Sequence, residues 1–65
     1  MNTLETVLAT VYEAYPLPMG RSEVATKTGA NYNTVCGALV RLTKRGDLEN
    51  VQPGYYKYVP PAERL

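Results

Sequence analysis

The sequence predicts an α+β domain: three helices followed by a two-stranded antiparallel hairpin. Three observations predict it. Apolar residues recur at about 100° per residue over 3–15 and over 32–45. Glycine or proline stands where each period stops. The last third changes to strand-forming residues on either side of Gln52-Pro53-Gly54.

The first helix is expected from Thr3 to Tyr15. Asn2 is its cap, and Glu5 follows three residues later, as in a capping box. Leu4, Val7, Leu8, Val11, Ala14 and Tyr15 fall on one side; Glu5, Thr6, Thr10 and Glu13 fall on the other. Pro16 and Pro18 forbid continuation. The second helix is short, Arg21 to Thr28, with Glu23 at its positive end and Gly29 just beyond it. Val24, Ala25 and Thr28 share a face. The third runs from Tyr32 to Arg45, capped by Asn31 and stopped by Gly46. Val35, Ala38, Leu39 and Leu42 make its inner face. Asn33, Gly37, Val40, Arg41 and Lys44 lie opposite, with Cys36 beside them. Two strands, Asp47–Val51 and Tyr55–Val59, follow around the turn. Alternation sends Tyr56 and Tyr58 to one face of the second strand and Tyr55 and Lys57 to the other. Pro60-Pro61 ends it. Residues 1–60 therefore read as one domain and 61–65 as a flexible tail or the start of a linker.

A chain of 65 residues is one domain with little spare volume, which counts against a deep substrate cavity. Histidine is absent and Cys36 is the one cysteine, so neither an internal disulfide nor a nitrogen-and-sulfur zinc site can be assembled. No cofactor and no metal is expected. No apolar run approaches a bilayer span, and no basic-then-apolar leader opens the chain. The expectation is a cytoplasmic, reducing setting with no membrane partner. The net charge of +1 hides an uneven distribution: in residues 21–46, five cations against the single carboxylate of Glu23 leave +4.

The second and third helices share one more pattern. Ala25 supplies a small side chain where two helices cross, Gly29 a positive φ in the tight turn, and Val35 a branched apolar residue that packs back. With GRSEVATKTGANYNTVCGALVRLTKRGDLE and the following VQPGYYKYV, the chain resembles the winged helix-turn-helix superfamily of DNA-binding domains. The resemblance covers the chain from the first helix to Val59.

That resemblance implies that the third helix lies in the major groove of double-stranded DNA, its N-terminal residues near base edges. Tyr32, Asn33, Thr34 and Gly37 would then face DNA, with Arg41 further along. Asn33 has the donor and acceptor to pair with adenine. Tyr32 and Thr34 suit a phosphate or a thymine methyl. Arg21 and Ser22 would hold a phosphate beside backbone N–H groups at the start of the second helix. Arg41, Lys44 and Lys57 would meet the flanking backbone, with Gln52 at the wing tip. Two departures stand out: Gly37 replaces a cation common at that place, and the wing tip is uncharged. Both remove phosphate contacts and imply weaker, less salt-sensitive binding per monomer. A branch of the superfamily that reads left-handed DNA carries asparagine and tyrosine where this chain has Cys36 and Val40, so that specialisation is set aside.

Each of these residues also has a plain structural reading. Asn33, Arg41, Lys44 and Lys57 suit a solvated surface, Tyr32 the edge of a core, and Cys36 a small filler. The favoured function is a duplex-DNA-binding module, a small transcriptional regulator of a prokaryote or its virus. A homodimer would multiply its few phosphate contacts, with Tyr12, Val40 and the tail as candidate surfaces. The alternative is a winged-helix protein–protein interaction module that does not bind DNA, which the tyrosine-rich hairpin, Gly37 and Val40 also suit. An enzyme is not expected: the carboxylates are scattered and no phosphate-cradling loop is present.

Overall fold

The computed structural model describes residues 2–64. Helix α1 spans Thr3–Ala14, strand β1 Met19–Gly20, helix α2 Arg21–Thr28 and helix α3 Tyr32–Arg45. Strands β2 (Leu48–Gln52) and β3 (Tyr55–Tyr58) form the hairpin, and a 3-10 turn covers Pro61–Glu63. The α+β class holds, and the three helices and the hairpin lie within one residue of where the sequence puts them, β2 running one residue later than expected and β3 ending at Tyr58 rather than Val59.

Local chemistry accounts for the helix ends. The Asn2 side chain accepts the Glu5 N–H at 2.8 Å, and that of Asn31 accepts from Asn33 at 2.8 Å and Thr34 at 3.3 Å. Gly29 and Gly46 end α2 and α3 with φ of 74° and 91°, the left-handed conformation that glycine adopts without strain. A Cβ on Gly29 would meet nothing within 4 Å, so its backbone angle, not crowding, calls for glycine. The Gly29 N–H donates to Ala25 O at 2.9 Å and the Ala30 N–H to Thr28 Oγ1 at 3.2 Å, which satisfies the tight turn. Helix α1 stops one residue short of the expected Tyr15, which serves as its C-cap.

One core holds the elements together. Val7 and Val11 of α1, Val24 of α2, and Val35, Leu39 and Leu42 of α3 are fully buried. Met19, Leu48 and Tyr56 close it from the sheet. Tyr56 and the partly buried Tyr58 face the helices, which settles the alternation of β3.

The sheet has a strand that the sequence reading does not include. Its order is β1-β3-β2, all antiparallel, with Met19 opposite Tyr56 and Gly20 opposite Tyr55. Two residues behind Pro18 are too short to show any alternation; β1 exists because β3 offers it a free edge. In the hairpin, Asn50 pairs with Tyr56 but Gln52 with Tyr55, so Val51 is an extra residue in a bulge. The Asn50 amide donates to Gln52 O and Tyr55 O at 2.9 and 3.1 Å and braces that bulge.

Of residues 61–65, expected as a flexible tail or the start of a linker, Leu65 lies outside the described residues, and Glu63 and Arg64 make contacts with the rest of the fold. Arg64 Nε donates to Val59 O at 2.8 Å, and its guanidinium lies 5.5 Å from the Tyr58 ring centre. Arg64 also meets Asp47 Oδ1 at 2.9 Å, while Arg45 approaches Asp47 Oδ2 at 3.0 Å without hydrogen-bond alignment. Asp47 is 6% exposed and lies between these two guanidinia. Asp47→Asn is expected to cost about 1–2 kcal/mol, since Arg45 is well hydrated and returns little when released. In a double-mutant cycle with Arg64→Gln by urea denaturation, the two losses should fail to add. Nearby, the Tyr15 hydroxyl donates to Glu63 at 3.3 Å, and Tyr12 and Tyr15 meet Tyr58 edge to face. Loss of water around the Tyr15 phenol, and then the Glu63 carboxylate, raise its pKa.

Candidate nucleic-acid interface

Helix α3 has one buried face, and its opposite face is open. With Val35, Ala38, Leu39 and Leu42 turned inward, helical geometry leaves Asn33, Gly37, Val40 and Lys44 on the outermost line, with Arg41 toward α1 and Tyr32 and Cys36 toward the sheet. Asn33, Gly37, Val40, Arg41 and Lys44 are all exposed, and Cys36 is half-buried. The two asparagines at the start of α3 divide their tasks: Asn31 caps the helix, while no side-chain hydrogen bond among the described residues engages Asn33.

Charge on this face is unspent. Arg45 and Arg64 are tied to Asp47, whereas Arg21, Lys27, Arg41, Lys44 and Lys57 have no ion-pair partner among the described residues. The +4 read for residues 21–46 thus overstates the free charge, because Arg45 belongs to the Asp47 cluster. No carboxylate lies anywhere in α3.

Two shallow grooves flank the outer line. Toward α1, Thr3 and Leu4 face Asn33, Thr34, Gly37 and Arg41. Thr3 and Leu4 were not among the sequence candidates; nothing local shows which end of α1 reaches α3. Toward the sheet, Arg21, Ser22, Glu23 and Tyr32 meet Gly54 and Tyr55 of the hairpin. The Arg21 N–H donates to Gly54 O at 2.9 Å, so that N–H, expected to be free at the start of α2, is taken. A Cβ on Gly54 would stand 3.3 Å from the Arg21 guanidinium, so the side chain lies against the wing turn. Glu23 in the same groove opposes an anion, a feature the sequence reading leaves out. The Tyr55 ring covers Gly20, where a Cβ would come within 3.2 Å, and so is partly occupied in packing.

Lys57 is not brought to these grooves. The register sets it directly across from Glu49, on the outer face of the hairpin, where opposite charges offset each other's field. The candidates Asn33, Thr34, Gly37 and Arg41 converge with Lys44 on one line, Arg21, Ser22 and Tyr32 border it, and Lys57 stands apart.

Among the described residues nothing requires glycine at position 37. A Cβ there would meet nothing within 4 Å, and its backbone is ordinary helix. Gly37→Ala is expected to stabilise the fold by about 1 kcal/mol, raising the melting temperature by about 5 °C. If another molecule's surface seats against this face, the same variant will bind it less well; calorimetry and a binding titration read the two effects separately.

No family model, curated protein or solved structure matches the chain. Among the described residues no helix is long and apolar enough to cross a membrane.

Proposed function

We propose that this chain is a duplex-DNA-binding module of winged helix-turn-helix type, a small transcriptional regulator whose α3 enters the major groove. The observation that carries the reading is the outer face of α3: an asparagine in the first turn and cations at Arg41 and Lys44, all without side-chain partners among the described residues, and no acid along the helix. A polyanion gains from such a face, and an asparagine amide matches an adenine edge. The uncharged wing tip and the Glu49–Lys57 pairing leave few phosphate contacts per chain. A homodimer on two half-sites would compensate.

The test is fluorescence anisotropy with mixed-sequence duplex DNA at several salt concentrations. Arg21, Arg41 and Lys44, with Lys57 at most, imply a log–log salt slope of about −3 to −4. Binding that ignores salt, or no binding at 50 µM protein and roughly 20 mM salt, a regime in which non-specific contacts are at their strongest, counts against the reading.

A second reading, a protein-interaction module without DNA, has its own support. Tyr12, Leu17 and Val40 are 56%, 68% and 45% exposed, and Tyr12 borders an apolar groove with Leu8, Ala9 and Tyr58. A DNA titration without response, together with concentration-dependent sedimentation that Tyr12→Ala abolishes, would favour it.

A further inference from the structure

We infer that the base-reading part of α3 is built for adenine·thymine pairs, Asn33 taking an adenine edge and Val40 packing on a thymine methyl further along the groove. The inference rests on the duplex-DNA reading above and names what such a duplex must contain.

The geometry comes from the helix. At 100° per residue, Val40 lies about 20° from Asn33 in projection, and Gly37 between them about 40° away. At 1.5 Å per residue Val40 stands about 10 Å beyond Asn33, which matches about three base pairs at 3.4 Å each. Gly37 leaves the space between them empty, so a base-pair edge can approach the backbone there. Val40 is 45% exposed, an isopropyl group on a line that is otherwise polar or bare.

The chemistry is equally selective. Guanine is read through O6 and N7 by arginine or lysine, and no cation stands between Tyr32 and Val40. Arg41 is turned about 80° from the Asn33 line, into the groove beside Thr3 and Leu4, and Lys44 lies a further turn along, where a straight helix leaves the curving groove. Both suit phosphates. What remains at base-edge depth is an amide and a branched alkyl group. Adenine offers N6 and N7 to the first, and thymine alone offers a methyl group to the second.

Selection from a random duplex library at low salt, followed by anisotropy on the selected duplex, tests this. The selected sites should share two adenine·thymine pairs about three base pairs apart. Replacing the adenine·thymine pair at the first by guanine·cytosine should weaken the wild type about tenfold and Asn33→Ala hardly at all. Deoxyuridine in place of thymine at the second removes one methyl; it should weaken the wild type about threefold and leave Val40→Ala unchanged. Both side chains are exposed, so both variants should fold. A consensus without those pairs, or a uridine effect equal in wild type and Val40→Ala, overturns the inference while DNA binding stands. Retention of no duplex removes the DNA reading and the inference with it.

Discussion

Replacing Arg41 and Lys44 together by glutamate is expected to weaken duplex DNA binding by about a hundredfold at roughly 0.1 M salt. Each cation that meets a phosphate releases about one counterion, so losing two should flatten the salt slope by about two, and the new carboxylates add repulsion. The prediction is sharp because neither side chain serves the fold: both are exposed and neither is ion-paired among the described residues. Stability should change by under about 1 kcal/mol, mostly from unfavourable charge at the negative end of α3. Anisotropy against salt, with urea denaturation alongside, separates the two. Affinity that survives the double reversal would mean that α3 does not face DNA.

Leu39→Ala should have the largest effect on stability, about 3 kcal/mol. Leu39 is fully buried at the middle of α3, within the one core that the helices and sheet share. A chain of this size commands only about 3–10 kcal/mol in total, so the variant should sit near the edge of unfolding. Circular dichroism through a thermal melt should show a midpoint lowered by about 15 °C or more, or no cooperative transition at all. An unaltered melt would mean that the core is not organised around α3. The variant also serves as a control for the interface: it should lose DNA binding only as far as it loses structure, whereas the Arg41 and Lys44 reversals lose binding in a folded protein.

Much of the architecture was legible in the chain because it is locally determined. Asn31 before an apolar period, Gly29 and Gly46 after one, and Pro53-Gly54 between strand formers act within four residues of themselves, and α2 and α3 begin and end where those residues put them. The outer face of α3 was legible for the same reason: once Val35, Leu39 and Leu42 point inward, the helical period decides that Asn33, Gly37 and Lys44 point out.

Only the tertiary structure decided which distant residues share a space. It joined Met19–Gly20 to β3, seated the Arg21 guanidinium on the wing turn, placed Glu49 across from Lys57, and folded residues 61–64 back so that Arg64 reaches Asp47. It also brought Thr3 beside Asn33 and Arg41. Each of these depends on a strand register or a helix crossing set by packing of the whole core, and residues far apart along the chain carry no local mark of their eventual neighbours. The sequence by itself therefore determined which helix face is free and charged. The packing determined which of those charges remain available to a polyanion, because a cation is free only when no distant carboxylate has been brought against it.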